Sequence, residues 1–232
     1  MRRTKIVCTL GPAVDDPSVL ADLVSSGLDV ARINFSHGTH ADHGRRIAAV
    51  RAAAAAVGRP VAVLQDLCGP KIRIGEVAAG RVLRTGEPVV FCLGEVREPS
   101  WVPLPVPEIF RSACPGDRML LDDGLIEVVV ESGADDVLEC RVVTGGPLGS
   151  RKGICLPGVT LAIDALTAKD REDAAFGRAV GVDYVAVSFV RSAADLEMAR
   201  TVVGPGVPLL AKIEKSEAVA RIDSILQAAD GV

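Results

Sequence analysis

Four stretches of this 232-residue chain close apolar runs with groups suited to phosphate and metal. "ARINFSHG" carries Arg32, Asn34, Ser36 and His37, and "VLQDLCGPKIR" carries Asp66, Lys71 and Arg73. "VAVSFVR" ends in Ser188, Phe189 and Arg191, and "LLAKIE" holds Lys212 and Glu214. Arg32, Arg73 and Lys212 could clamp a phosphorylated anion, while Asp66 and Glu214 are hard oxygen ligands suited to Mg²⁺ or Mn²⁺. Cations, a divalent metal and a mobile lid are the parts of phosphoryl transfer. Plainer readings exist for each residue. Arg32 and Arg73 suit surface salt bridges, and His37 suits a loop donor. Lys212 and Glu214 share a face at period two and suit an ion pair. Asp122 and Asp123 before Gly124 suit a hairpin turn, and Arg151–Lys152 a solvated pair. Recurrence at successive strand ends is what favours chemistry.

Those ends need a frame to hold them. Strands are expected at 5–10 ("KIVCTL"), 28–34 ("LDVARIN"), 60–67 ("PVAVLQDL"), 184–190 ("YVAVSFV") and 207–214 ("VPLLAKIE"). Helices alternate with them. The first has Asp16 as N-cap, Pro17 at its first position and Gly27 as its stop. Others are expected over about 40–57, over "LTAKDREDAAFGRAVG" with Thr167 and Asp170 at capping-box spacing, over "SAADLEMARTVV" capped by Ser192, and over "SEAVARIDSILQ". "DGV" reads as the start of a sixth strand. Continuous apolar strands between helices predict an α/β fold, a parallel sheet covered on both faces. A strand every 25–35 residues predicts a partial TIM (β/α) barrel, whose site lies at the C-terminal strand ends. Between Lys71 and Pro157 glycine, proline and alternating strands replace helices, as in "RVLRTGEPVVFCLG" and "DRMLLDDGLIEVVVE". This predicts an all-β domain at 71–157 inserted into a barrel domain of 1–70 and 158–232.

Bulk properties narrow the function. Hydrophobic residues make up 49% and charged residues 24%, so a large core is expected. The net charge is −4, from 26 basic and 30 acidic residues, which argues against a nucleic-acid or membrane-surface binder. Six scattered cysteines include no CxxC pair, so a zinc site is not expected and the thiols read as reduced. "MRRTKIVCTL" is too short and polar for a signal peptide, and no run approaches a membrane span. The expectation is a cytoplasmic protein.

Seven motifs give the chain a close resemblance to one family. "KIVCTLGPA", "ARINFSHGTHADH", "DLCGPKIRIG", "LLDDGLI", "GGPLGSRKGICLPG", "DYVAVSFVR" and "LLAKIEKSEAV" occur in the order found in pyruvate kinase. The resemblance implies a TIM-barrel domain interrupted by a β-barrel lid. It also implies glycolytic transfer of the phosphoryl group of phosphoenolpyruvate to ADP, giving pyruvate and ATP, with Mg²⁺ or Mn²⁺ as cofactor. Carried onto matching positions, it places Arg32 against nucleotide and transferring phosphate, and Arg73 against phosphate. It places Asn34, Ser36 and Asp66, with the Leu67 carbonyl, around a monovalent-cation pocket. Lys212 would stabilise the phosphoryl group and the developing enolate, and Glu214 would hold the divalent metal. Asp123 and Lys152 would descend from the lid. Gly11-Pro12, His37 and His43 would lie on the nucleotide side. A homo-oligomer is left open.

The chain also departs from the family pattern. It stops at "ADGV", before the family's second metal carboxylate, its proton-donating Thr and its last barrel strands, so the isolated chain is expected to show little or no phosphotransferase activity. Asp42 stands where many members have Tyr, and Cys68 and Lys71 depart from the commonest pattern. Lys71 replaces a Glu of the K⁺-dependent members, so K⁺ is expected not to be required. Two other readings stand beside this one. One is a non-catalytic fragment or pseudoenzyme that binds phosphate ligands or a partner chain. The other is a lyase-like barrel enzyme on phosphoenolpyruvate-type acids, against which "LGSRKGICLPG" argues.

Overall fold

Parallel pairing carries the chain through five strands in sequence order. The computed structural model describes residues 3–94 and 96–232; the N-terminal reading falls partly on Met1 and Arg2, outside them. Strands β1 (Val7–Thr9), β2 (Val30–Asn34), β3 (Ala62–Asp66), β4 (Tyr184–Val187) and β5 (Leu209–Ala211) form one sheet in that order. All four neighbour pairs are parallel. The fold class is α/β, a partial barrel with an inserted β domain. Contacts divide the chain into two units, residues 1–70 with 164–232, and residues 71–163. The six residues after Pro157 go with the second unit, because Val159 and Leu161 pack against its core.

Period-two alternation sorts the five-stranded sheet into two faces. Ala31, Ile33, Val63, Val185, Val187, Leu209 and Ala211 join the buried core with helix residues such as Leu20, Val24, Ile47, Val50 and Leu196. The opposite face presents Val7, Val30, Ala62, Leu64, Tyr184 and Leu210 to a cavity of about 860 Å³. Farther along these strands, toward their C-terminal ends, the same alternation reaches Arg32, Asp66, Ser188 and Lys212.

Local chemistry sets the helices. Helix α1 (Pro17–Ser26) is capped by Asp16, whose side chain accepts from the Ser18 amide, and stops at left-handed Gly27. Helix α2 (His40–Val57) opens on a capping box of Thr39 and Asp42, and α3 (Ala168–Val180) on one of Thr167 and Asp170. Helix α4 (Ala193–Val203) starts at Ser192, but the Ser192 side chain makes no capping bond. Asp195 turns back instead and accepts from the Arg191 amide at 2.8 Å. The single helix expected over "SEAVARIDSILQ" is two pieces, Ser216–Ala220 and Ile222–Ala228. Arg221 leaves helical geometry at φ −119°, ψ 23°, and its amide bonds the Ala218 carbonyl in a tighter turn. Gly231 bridges Leu210 in parallel, so pairing resumes at "DGV" as expected.

One close contact seats α3 on β3. A Cβ at Gly177 would lie 2.0 Å from Gln65 Oε1, and Gln65 is fully buried with its amide donating to the Asp173 carbonyl at 2.7 Å. Gly177→Ala is therefore expected to destabilise the protein by about 1–3 kcal/mol, overpacking outweighing alanine's better helix propensity. A lower urea midpoint at unchanged slope would show it; an equal or higher midpoint would refute it.

The second unit has its own core of Phe91, Met119, Leu121, Val128, Leu138 and others. Its six-stranded sheet runs Ile154–Cys155, Arg118–Leu121, Ile126–Ala134, Val137–Thr144, Pro88–Cys92 and Val102–Pro103. All pairings are antiparallel except the last. Pro107–Ser112 forms a short helix that buries Ile109 and Phe110.

Candidate active site at the strand ends

Register alone brings the polar residues of the first unit together. Thr9 pairs with Arg32, Asn34 with Asp66, and Asp66 with Ala186. Strand β5 ends at Ala211, earlier than expected, yet the Lys212 amide still donates to the Val187 carbonyl at 3.0 Å. The chemistry-bearing residues of "AKIE" thus stand just past the last paired residue, at the C-terminal edge of the sheet.

Asp66 is the centre of the cluster. It is 2% exposed, and its Oδ2 accepts from Arg32 Nε at 2.8 Å and Arg32 Nη2 at 2.5 Å. Lys212 Nζ lies 3.2 Å from Oδ1 and 3.5 Å from Oδ2. A buried carboxylate is tolerable only when paired, and two cations do that here. Asp66 is therefore a counter-ion in this arrangement, not a free metal ligand. Arg32 is steadied further by Thr9 Oγ1 at 2.7 Å. Lys212 also donates to Ser188 Oγ at 2.8 Å and lies 3.5 Å from Glu214 Oε1. The ion pair expected for Lys212 and Glu214 is thus present, though loose. Glu214 Oε2 accepts from the Phe189 amide at 3.0 Å.

Asn34 and Ser36 form a local turn, the Ser36 amide donating to Asn34 Oδ1 at 3.0 Å. The Leu67 carbonyl accepts from Ser188 Oγ at 2.6 Å. His37 is exposed on the loop that follows. His43, expected on the nucleotide side, is 2% exposed and packs against the Phe35 ring with centroids 4.1 Å apart. Burial lowers its pKa below the usual histidine value. Asp42 closes the α2 cap instead of facing a ligand: it accepts from the Thr39 amide and hydroxyl and pairs with Arg45. The Thr39 bonds and the Arg45 guanidinium hold its carboxyl at about 2.

Lys71, Arg73, Asp123 and Lys152 belong to the second unit. There the segment around Arg73 runs beside Arg151–Gly153, with Arg73 Nη1 donating to the Arg151 carbonyl at 2.7 Å. Asp122, Asp123 and Gly124 turn the hairpin between Leu121 and Ile126, all at positive φ. Lys152 Nζ pairs with Asp122 at 2.9 Å; Asp123 is exposed beside it. Arg151 pairs with Glu76 at 2.6 Å, so neither member of the expected solvated pair is without a partner. Lys71 and Arg73 are exposed.

Thr9 is a contributor that residue types did not single out, and Ser188, named at its strand end, had no role assigned to it. A lone hydroxyl at a strand end carries little signal; each gains a role only through the neighbouring strand's register. Glu214 suits a hard cation by its exposed carboxylate oxygens. Among the described residues no three His, Cys, Asp or Glu side chains gather for a metal. Among them too, no helix is long and apolar enough to cross a membrane.

Comparison with known proteins identifies the family. The chain matches the family described as pyruvate kinase, barrel domain, over residues 1–232. It is 47% identical over 234 residues to a pyruvate kinase of Agrobacterium vitis, covering all of this chain and 48% of that protein. It is 44% identical to that of Corynebacterium efficiens and 45% to that of Mycobacterium tuberculosis, each over 236 residues covering all of this chain and 50% of the relative. The chain spans about half the length of these relatives. With the strand-end cluster on the barrel frame and the match running from the first residue to the last, this chain belongs to the pyruvate kinase barrel-domain family.

Proposed function

We propose that this chain carries the phosphoryl-transfer face of a pyruvate kinase, which moves the phosphoryl group of phosphoenolpyruvate to ADP and releases pyruvate and ATP. The observation that carries this reading is the Lys212 ammonium, held at the strand ends by Ser188 and Asp66 beside Arg32 and Glu214. When the phosphorus–oxygen bond to the enol breaks, negative charge grows on the enolate oxygen and across the phosphoryl oxygens. Lys212 offsets that charge, and Arg32 orients the phosphate through its planar fork. Asp66 keeps both cations in place and prevents them from repelling each other. Glu214 would hold Mg²⁺ or Mn²⁺, which would supply charge neutralisation of the phosphates when bound. Within the second unit, Arg73, Asp123 and Lys152 would bind phosphate and nucleotide; within the first, His37 would serve as a donor to the nucleotide.

Asn34, Ser36, Asp66 and the Leu67 carbonyl would form the monovalent-cation pocket, and with Lys71 standing where the K⁺-dependent members have Glu, K⁺ would not be required. The cellular role is glycolytic and cytoplasmic, with phosphoenolpyruvate and ADP/ATP as partners and neither nucleic acid nor membrane. Pyruvate formation from phosphoenolpyruvate and ADP, coupled to lactate dehydrogenase, tests the reading on the protein that carries these residues in its full natural length. Metal-dependent pyruvate formation supports it. No pyruvate, with phosphate ligands still bound, would favour a non-catalytic binding protein.

A further inference from the structure

The residues just past β4 touch Asp66, the Leu67 carbonyl, Lys212 and Glu214, though they have no assigned part in the chemistry. Ser188 is 1% exposed and has one hydroxyl proton. Its Oγ lies 2.6 Å from the Leu67 carbonyl and 3.5 Å from Asp66 Oδ1, so the proton goes to the carbonyl. The lone pairs then face Lys212 Nζ at 2.8 Å, which donates to them. The direction of donation is fixed: the ammonium donates to the hydroxyl, and the hydroxyl to the carbonyl.

The surrounding backbone is built to keep Ser188 there. Phe189 holds φ +55°, an uncommon conformation for a bulky residue, and from it donates its amide to Glu214. Gly69, at φ +66°, lets the loop after β3 close on this point: a Cβ there would lie 3.1 Å from Ser188 Cβ, 3.2 Å from the Ser188 carbonyl oxygen and 3.1 Å from the Phe189 ring. The Gly69 amide is anchored by Asp170, a fully buried carboxylate that also caps α3.

We propose that Ser188 is a positioning residue that aims the Lys212 ammonium by accepting its hydrogen bond while tethered to the Leu67 carbonyl. This rests on the proposed role of Lys212. An ammonium with a four-carbon stem has many rotamers, and Asp66 at 3.2 and 3.5 Å attracts it without fixing its direction. The short bond to Ser188 selects one arrangement.

The 232-residue chain with ¹⁵N-labelled lysine side chains tests this without turnover. The Lys212 ammonium signal, identified by its loss in Lys212→Gln, is expected to exchange with water about tenfold faster in Ser188→Ala than in the parent chain. A change under threefold, or a parent chain with no retarded Lys212 signal, overturns the proposal. If Ser188→Ala fails to fold, Ser188→Cys, similar in shape with a weak acceptor, carries the same test. In an active protein containing these residues, Ser188→Ala should lower kcat about tenfold with KM for ADP within twofold, and add nothing to Lys212→Ala. A full additive loss in the double variant overturns the positioning role. Full turnover by Lys212→Ala would instead overturn the role given to Lys212, and leave the exchange result standing.

Discussion

Lys212→Ala, in an active protein carrying these residues, is expected to lower turnover by about 10²–10³ or more. The ammonium sits where three strand ends converge, within 3.5 Å of Ser188, Asp66 and Glu214. It is about one-third exposed, so it can meet an incoming phosphate without leaving its partners. An interaction that strengthens as charge moves onto the enolate and phosphoryl oxygens lowers the barrier itself. The variant should therefore lose kcat and kcat/KM to a similar extent. Folding should suffer little, because the buried Asp66 carboxylate keeps Arg32 as a two-point partner. Lys212→Arg should not restore the rate: a planar fork cannot reproduce the point charge between Ser188 and Asp66. Steady-state rates from the lactate dehydrogenase-coupled assay, beside a denaturation curve for each variant, separate the two effects. Undiminished turnover in Lys212→Ala would remove the basis of the proposed mechanism.

The second large effect expected is the creation of K⁺ dependence by Lys71→Glu. The pocket proposed for Asn34, Ser36, Asp66 and the Leu67 carbonyl has oxygen acceptors that suit a positive charge. A lysine ammonium supplies one permanently, whereas a glutamate adds a negative charge that a bound K⁺ must offset. The parent protein should turn over at nearly the same rate in Na⁺-free tetraalkylammonium buffer with and without K⁺. Lys71→Glu should be slow without K⁺ and activated about tenfold or more by it, the scale of a single charge interaction of roughly 1.4 kcal/mol. Tenfold activation of the parent by K⁺ would reject the idea, as would a Lys71→Glu variant indifferent to K⁺.

What could be read without coordinates was local or periodic. The Asp16 cap and its Gly27 stop, and the Thr167–Asp170 box, depend on hydrogen bonds that span a few residues, so residue type and spacing determine them. The order of β1 to β5 follows from apolar runs alternating with helices, which leaves a parallel sheet as the economical way to bury both faces. That same periodicity put Arg32, Asp66 and Lys212 at the ends of their strands. Their mutual distances were decided elsewhere. Asp66 meets Arg32 from 34 positions away and Lys212 from 146, and only strand register makes those groups neighbours. The tertiary structure likewise buried His43 under Phe35, gave Lys152 to Asp122, split the helix at Arg221 and drew 158–163 into the second unit. It also gave Ser188 a role that its residue type did not announce. A hydroxyl has no preferred partner in sequence; burial between a carbonyl and an ammonium leaves its one proton and its lone pairs only one satisfactory assignment.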